Sequence, residues 1–251
     1  MTNDFGLRAI APISDAVILM AGTGSRLRAA GLNLAKPLIP ICDRPLISYT
    51  IDALLHAGIK LVHAIVGFES ESLMAQLRPL IPQPLDVRFI INRDWKKQNG
   101  ISLLAAAEHV RRPFLLTMSD HLFDQSVFEV VLRAPCDRLN LAVDRKLNSI
   151  VDLDDAMKVQ TQGDRIVAIG KNLRTYDAID TGLFVCPQEI FQYLERAKQN
   201  GDCSLADGVR LMADAAKTRA IDIGEAWWQD VDTATMLQQA EARMLTQPQL
   251  K

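Results

Sequence analysis

The stretch AVILMAGTGSRL, residues 16–27, decides the fold class of this chain. Its first six residues are all apolar, which is typical of a strand buried on both faces in a parallel sheet. Glycines follow at positions 22 and 24, and open α/β sheets bind ligands at this edge, beyond the carboxyl ends of their strands. Because successive backbone N–H groups of a glycine-rich turn can point toward one anion, the stretch predicts a buried strand that leads into a phosphate-binding loop.

The predicted loop is also positively charged. Arg26, Arg28 and Lys36 follow the glycines, and no acidic residue lies between Gly22 and Lys36. A Walker A loop is excluded because no Gly-Lys pair followed by Ser or Thr occurs here. A dinucleotide-binding fingerprint is disfavoured because Leu27 stands where its third glycine would be. The loop is therefore expected to bind phosphate in another way.

Apolar runs alternate with amphipathic segments through the first half of the chain. Strands are predicted at residues 16–21, 61–66, 87–91 and 114–118, and helices at residues 45–57, 70–80, 101–110 and 125–132. Strands that alternate with helices at this spacing predict βαβ units and a parallel sheet.

The second half has a different pattern, with more strands close together. Strands are predicted at residues 139–144, 157–161, 165–169 and 180–186, and helices at residues 188–199, 204–215 and 233–245. No linker rich in Pro, Gly or Ser separates the two halves. The whole chain, residues 1–251, is thus predicted to be a single α/β domain with mixed strands added to one side of its sheet.

The composition excludes several classes of protein. The 251 residues include 28 Lys and Arg against 30 Asp and Glu, and this balance argues against a dedicated binder of nucleic acid or anionic membranes. The four cysteines are scattered without zinc-site spacing, which predicts reduced structural thiols. No stretch approaches 18 uninterrupted apolar residues, and the first 17 residues, which include Asp4, lack a secretory-signal pattern. We therefore expect a cytoplasmic protein without membrane insertion.

The motif LMAGTGSRL, followed by Lys36-Pro37-Leu38, resembles the signature loop of the sugar-nucleotidyltransferase family. Five later blocks are similar to the CTP:inositol-1-phosphate cytidylyltransferase branch of that family. They are residues 99–103 (NGISL), 117–121 (TMSDH), 169–171 (IGK), 180–182 (DTG) and 230–233 (DVDT). The resemblance covers residues 15–245 in order. It implies a Rossmann-like three-layer sandwich with a mixed, mostly parallel sheet, in which residues 15–135 form a nucleotide-binding half and residues 136–245 an acceptor-binding half.

The implied reaction needs positioning and charge neutralisation more than acid–base catalysis. A phosphate oxygen of the acceptor, already ionised at neutral pH, attacks the α-phosphorus of a nucleoside triphosphate in line, and pyrophosphate leaves. The resemblance assigns Arg26 and Lys36 to the β/γ and α phosphates as catalytic cations. It assigns Asp120 and Asp232 to a shared Mg²⁺, with Asp230 as the competing second ligand, in keeping with the preference of Mg²⁺ for oxygen ligands.

The remaining site residues follow the same resemblance. The nucleotide would be bound by Ala21, Gly22, Thr23, Gly24, Asn99 and Ser102. The acceptor would be bound by Asp144, Arg145, Lys171, Asp180 and Thr181. Lys171 and Arg145 suit a phosphate, and the carboxylates suit the hydroxyls of a polyol. Because Lys171 belongs to the second half of the chain, we expect it to lie away from the triphosphate.

The expected activity is Mg²⁺-dependent transfer of CMP from CTP to a phosphorylated polyol such as inositol 1-phosphate. Three alternatives remain open at this point: a cytidylyltransferase for phosphocholine or another phospho-amine, a nucleoside-diphosphate-sugar pyrophosphorylase, and a catalytically inactive nucleotide-binding regulator. A quaternary amine usually needs an aromatic cage, and aromatic residues make up only 6% of the chain. The inactive regulator is disfavoured because the expected cations and carboxylates are all present. Neither the base nor the oligomeric state is fixed by a sequence motif.

Overall fold

The computed structural model of the chain describes residues 13–246. The residues before Ile13, on which the prediction of no secretory signal partly rests, lie outside this range. The described strands are β1 (Asp15–Met20), β2 (Pro40–Ile41), β3 (Arg44–Pro45), β4 (Leu61–Val66), β5 (Asp86–Ile91), β6 (Phe114–Met118), β7 (His121–Phe123), β8 (Leu139–Asp144), β9 (Lys158–Gln162), β10 (Arg165–Gly170), β11 (Ala178–Cys186), β12 (Thr218–Asp222) and β13 (Trp228–Asp230). The described α-helices are α1 (Ser25–Ala29), α2 (Leu46–His56), α3 (Ser70–Leu77), α4 (Asn99–Leu104), α5 (Gln125–Leu132), α6 (Ile190–Ala197), α7 (Leu205–Asp214) and α8 (Ala234–Thr246).

Nine of the strands described for residues 13–246 form the main sheet. Its path runs β10-β9-β11-β6-β1-β4-β5, and β8 pairs with β11 and with β12. Strands β1, β4, β5 and β6 are parallel neighbours, whereas β11 is antiparallel to β6, β8 and β9. Since β12 is parallel to β8 and β10 is antiparallel to β9, seven of the nine strands run one way and only β10 and β11 oppose them. The predicted mixed, mostly parallel sheet is confirmed.

Helices cover both faces of this sheet. Along β1, Val17 and Leu19 point into one apolar cluster, while Ala16, Ile18 and Met20 point into the other. The first cluster includes residues from α4, α6 and α7, and the second includes residues from α2, α3 and α5. Because successive side chains of a strand alternate between faces, an all-apolar β1 requires a helix layer on each side. The three-layer sandwich predicted from the sequence is thus confirmed.

The predicted elements agree with the structure in type, and the differences lie in short segments. The helix predicted over residues 101–110 ends at Leu104, after which Ala106, Ala107 and His109 each donate to the carbonyl three residues earlier, at 2.9–3.0 Å. Strands β2, β3, β7, β12 and β13 and the helix α1 were not predicted. Among residues 13–246, no helix is long and apolar enough to cross a membrane.

Candidate active site

A cavity of about 510 Å³ opens at the carboxyl ends of β1 and β6. Most of the residues expected in the site line it: Ala21, Gly22, Gly24, Arg26, Lys36, Asn99, Ser102, Asp120, Lys171, Asp180, Asp230 and Asp232. Thr23, Asp144, Arg145 and Thr181 do not. The sheet edge predicted from the first apolar stretch is therefore where the structure gathers the chemistry-bearing side chains.

The glycine-rich loop brings Lys36 into the cavity. Gly24 has a φ of +63°, a conformation that L side chains rarely adopt. A Cβ atom at Gly24 would lie 3.1 Å from the Cβ of Lys36, so the loop also packs closely on that residue. Lys36 itself begins a 3₁₀ turn with Pro37 in its first turn. A larger residue at position 24 would disturb both the loop and the lysine.

A small two-stranded sheet brings Asp120 and Asp232 together. Strand β7, which follows Asp120, pairs with β13, which precedes Asp232, and His121 lies opposite Asp230 in the register. The N–H of Val231 donates to the carbonyl of Asp120 at 2.9 Å. This backbone pairing places two carboxylates that are 112 positions apart in the sequence (232 − 120) at the same point of the cavity.

The Lys36 ammonium group lies between these two carboxylates and contacts both. Its side chain is 12% exposed, and those of Asp120 and Asp232 are 21% and 19% exposed. Burial by itself would lower the pKa of Lys36, but the charges of Asp120 and Asp232 outweigh it and raise the pKa. Burial opposes ionisation of Asp120 too, yet Lys36 and His121 hold the pKa of Asp120 well below its usual range. We call Lys36, Asp120 and Asp232 the buried end of the site.

A second group of charges continues from the first. Arg26 contacts Asp232 and also donates to Asp155 at 3.1 Å, and Lys171 contacts the other oxygen of Asp155. The hydrogen bond from Lys171 is the main reason that the pKa of Asp155 is lowered. These three side chains, Arg26, Asp155 and Lys171, are 43–50% exposed, and we call them the exposed end. Alternating charges thus cross the cavity from Lys36 to Lys171.

Asp155 was missed by the sequence reasoning. It belongs to the acidic run DLDD, residues 152–155, which lies just before β9. The one available signal was charge complementarity, because this acidic run faces a loop that carries only positive charges. The structure also brings Lys171 nearer to the glycine-rich loop than expected, since Lys171 and Arg26 share one carboxylate.

His121 contacts Asp120 of the buried end and packs against Trp228. Its Nδ1 lies 2.7 Å from Oδ1 of Asp120, and its ring stacks on Trp228 with centroids 6.0 Å apart. Burial would lower the pKa of His121, but Asp120 raises it further than burial lowers it. The opposite edge of the ring faces Gly182, where an added Cβ would lie 2.7 Å from Nε2. Only glycine fits at position 182, because the backbone there also has a φ of +78°.

Asp180 lies on the cavity wall two residues before this glycine. One of its carboxylate oxygens accepts a hydrogen bond from the N–H of Gly182 at 2.7 Å. Burial raises the pKa of Asp180 to about 6, because the hydrogen bond and the charge of His121 only partly oppose it. Asp180 is therefore held in the cavity although its charged form is disfavoured there.

Asn99 and Ser102, which were expected to bind the nucleotide, also line the cavity. Ser102 is buried inside α4 and accepts from the Asn92 amide at 3.0 Å, so it is a wall residue and not a helix cap. Asn99 accepts from the N–H of Leu205 at 2.8 Å and joins α4 to the start of α7. Gly100 packs so tightly on this junction that a Cβ would lie 2.6 Å from the carbonyl oxygen of Cys203.

Three residues expected to bind the acceptor lie elsewhere. Asp144 is buried and bound by the Trp228 indole at 2.9 Å and by Lys146, while the Thr181 hydroxyl donates to the carbonyl of Ala142 at 2.9 Å. Arg145 pairs with Asp177 and lies 3.3 Å from Asp222. Strand alternation accounts for Asp144 and Thr181, which are the sequence neighbours of residues on the face of Asp180. Arg145 follows the end of β8, and its side chain is held by Asp177 and Asp222. These three residues are not part of the proposed site.

The two carboxylates of the buried end fit a magnesium ion whose remaining ligands come from water and from the phosphate groups of a substrate. Within residues 13–246, no cluster of three or more His, Cys, Asp or Glu side chains is arranged to hold a metal alone. Mg²⁺ usually takes only one or two protein carboxylates and completes its shell with water and phosphate oxygens. Asp120 and Asp232 provide such a pair, and their shared contact with one ammonium group shows that they are close enough to bind one cation.

Comparison with known proteins agrees with this geometry. Residues 16–147 match the MobA-like NTP transferase domain, which is more than half of the chain. The chain belongs to the MobA-like NTP transferase family. The matched range includes the loop after β1, helix α4 and the strand that leads to Asp120. The match confirms the nucleotidyltransferase resemblance seen in the sequence.

Curated relatives extend the likeness over almost the whole chain. The chain is 34% identical over 238 residues to a "Bifunctional IPC transferase and DIPP synthase" of Thermococcus kodakarensis. The alignment covers 94% of this chain and 51% of the relative. The chain is 30% identical over 230 residues to the protein of the same name from Aquifex aeolicus, with 91% and 51% covered. The chain thus spans about half the length of the curated relatives it matches.

Solved structures confirm the fold. The inositol-1-phosphate CTP transferase from T. maritima superposes with a TM-score of 0.83 at 22% identity, covering 93% of this chain and 97% of that one. A UDP-glucose pyrophosphorylase complexed with UDP-glucose superposes with a TM-score of 0.73 at 16% identity, covering 93% and 99%. At these identities the likeness establishes the Rossmann-like nucleotidyltransferase fold.

Proposed function

We propose that this chain catalyses the Mg²⁺-dependent reaction of CTP with a phosphorylated polyol, inositol 1-phosphate being the favoured acceptor, to give a CDP-alcohol and pyrophosphate. The observation that carries the proposal is the buried end, where two carboxylates converge on Lys36 beside a glycine-rich loop. The names of the curated relatives and of the T. maritima structure support the choice of CTP and inositol phosphate.

The buried end would handle the triphosphate. Lys36 would move from the carboxylates to the α-phosphate, and Arg26 would move from Asp232 to the β/γ phosphates. Both cations are already held in the cavity by ion pairs, so little reorganisation is needed when charge develops on the leaving pyrophosphate. Asp120 and Asp232 would hold the metal, which when bound supplies positive charge to the phosphate oxygens.

The acceptor would enter from the side of Lys171 and Asp180. Lys171 supplies a point charge for the phosphate that attacks, and this phosphate needs no general base because it is ionised at neutral pH. Asp180 supplies hydrogen-bond acceptors for hydroxyl groups of a polyol. Both side chains line the cavity that the glycine-rich loop also lines, which supports a single site for the two substrates.

The test is a cross of nucleotides against acceptors. Pyrophosphate release is measured with CTP, UTP, GTP and ATP, each with inositol 1-phosphate, phosphocholine and glucose 1-phosphate, and products are identified by mass. We expect the highest kcat/KM for CTP with inositol 1-phosphate and no turnover in excess EDTA. The Asp120→Asn protein, purified in the same way, controls for contaminating enzymes.

Each other outcome identifies a different function. Preference for phosphocholine would indicate a phospho-amine cytidylyltransferase, and preference for UTP with glucose 1-phosphate would indicate a sugar pyrophosphorylase. Full turnover in EDTA would contradict the metal assignment. Nucleotide hydrolysis without transfer, or no pyrophosphate from any pair, would contradict the transferase itself.

A further inference from the structure

Asp155 holds one cation from each substrate side of the cavity. Its Oδ2 accepts from Arg26, which belongs to the helix that follows the glycine-rich loop, and its Oδ1 accepts from Lys171, which follows β10. Both carboxylate oxygens are therefore used by groups that carry a single positive charge and face the cavity. A carboxylate between two such cations occupies the kind of position that a phosphate oxygen would take.

The backbone around Asp155 is fixed beside Lys171. The buried ammonium group of Lys158 donates to the carbonyl of Lys171 at 2.9 Å and to the carbonyls of Asp154 and Ala156 at 3.1 and 3.4 Å. The N–H of Asp155 donates to the Asp152 side chain at 3.2 Å. The carboxylate is thus delivered to this point by the fold, and it is not a freely mobile surface group that meets the cations by chance.

We propose that Asp155 is an internal counter-anion that competes with the phosphate groups of both substrates, at Arg26 for the nucleotide and at Lys171 for the acceptor. This inference rests on the proposed function for the identity of the two substrates. The competition keeps both cations extended into the cavity before substrate binds, and it sets the charge that a ligand needs to displace the carboxylate. Asp155 is therefore a positioning residue for the two cations, and its displacement adds a cost to the binding of each substrate phosphate.

Removal of the carboxylate should tighten binding of anions on both sides. Calorimetric titration is done with two probes, each alone so that no turnover occurs: CTP with Mg²⁺, and inorganic phosphate. In Asp155→Asn we expect the Kd of each probe to fall about threefold to fivefold, because each probe gains from the loss of one partly exposed ion pair. Asp155→Ser, which removes the carboxylate without adding an amide, should give the same direction.

Asp154→Asn is the matched control. It removes the same charge one residue away, from an exposed side chain that makes no ion pair with any residue between 13 and 246. Its Kd values should stay within twofold of the native protein. In the double variant Asp155→Asn with Lys171→Met, the gain for inorganic phosphate should vanish while the gain for CTP remains.

The proposal is overturned if Asp155→Asn leaves both Kd values unchanged or raises them, or if Asp154→Asn gives equal gains. A gain for phosphate that survives the loss of Lys171 would also overturn it. Turnover of native protein with CTP and inositol 1-phosphate is measured alongside. If the native protein turns over but the variants show no gain in binding, only the role of Asp155 is contradicted. If binding tightens as expected but no acceptor is turned over, the role of Asp155 is supported and the proposed function is contradicted.

Discussion

The buried end and the exposed end of the site are both built from ion pairs, but the signs of the charges are reversed. At the buried end one ammonium group lies between two carboxylates, and at the exposed end one carboxylate lies between two cations. The buried end is set by the pairing of β7 with β13, whereas Asp155 comes from a segment without regular structure. Because exposed ion pairs contribute little and buried ones are strongly coupled, the two ends should respond to substitution by very different amounts.

The largest effect is expected at the buried end. Asp120→Asn and Asp232→Asn should each reduce kcat by about 10²–10³, the loss typical of one preorganised electrostatic group. Steady-state kinetics with saturating Mg²⁺ measure it. Asp230→Asn is the control in the same block, since Asp230 pairs across the small sheet with His121 and should cost much less. If Asp230→Asn were the damaging change and Asp232→Asn nearly silent, the second metal ligand would be Asp230.

A stability effect is expected where the fold supports the exposed end. Lys158→Met leaves the carbonyls of Asp154, Ala156 and Lys171 without their shared donor, and should lower the free energy of unfolding by about 1–3 kcal/mol. Urea denaturation measures this value. Lys146→Met is the comparison, because Lys146 also donates to two carbonyls but is partly exposed. An unchanged midpoint for Lys158→Met would mean that water replaces the ammonium group and that Asp155 is not fixed in the way we describe.

Asp180 belongs to neither end. Its raised pKa predicts that the stability of the protein depends on pH. Its folded pKa of about 6 lies above the ordinary value of 3.8, so the folded state favours the protonated carboxyl. The resulting stability is present below pH 3.8 and is lost as pH rises through 6. Asp180→Asn should therefore raise the free energy of unfolding by about 1–2 kcal/mol at pH 8 and by almost nothing at pH 3.5.

Denaturation at both pH values tests the Asp180 prediction, with Asp154→Asn as a control that should show no such difference. An Asp180→Asn protein that is less stable at pH 8 would mean that the carboxylate is charged and well paired. The same variant should bind the acceptor less well, since residues kept at a cost in stability are common in binding sites.

The smallest effect is expected outside the cavity. Arg145→Ala removes contacts to Asp177 and Asp222 on the surface, so the KM for the acceptor should change by less than about twofold. Kinetics with varied inositol 1-phosphate measure it. A tenfold rise would restore Arg145 to the acceptor site, where the sequence alone had placed it.

The first half of the fold was predictable because long buried strands set the sheet edge at which the candidate site residues gather. Gly24 and Asp120 come soon after β1 and β6, and parallel strands deliver such residues to one edge. Lys36 lies further along the chain and reaches this edge by packing against Gly24. Asp232 could be placed beside them only through the family resemblance, since β7 and β13 are three residues each and too short to show a period.

The second half was less predictable because most of its candidate residues lie within strands, where successive side chains alternate between two faces, and not in loops beyond the strand ends. Asp144 and Thr181 were expected to bind the acceptor, but their side chains bind other residues and do not line the cavity. Asp180, one residue from Thr181, does line it. A register shift between Asp180 and Phe184 in the pairing of β11 with β8 adds to the difficulty. Asp155 carried no motif at all, because its role depends on where an irregular segment lies in three dimensions.

The division of labour between the two ends is tested most directly by titrating Lys36→Ala and Lys171→Ala with each substrate separately. The account predicts that Lys36→Ala weakens binding of CTP with Mg²⁺ by about tenfold or more and leaves the Kd of inositol 1-phosphate within twofold. Lys171→Ala should weaken inositol 1-phosphate by a similar factor and leave CTP nearly unchanged. A Lys171→Ala protein that loses CTP affinity but keeps acceptor affinity would contradict the account, because the two lysines would then serve the opposite substrates.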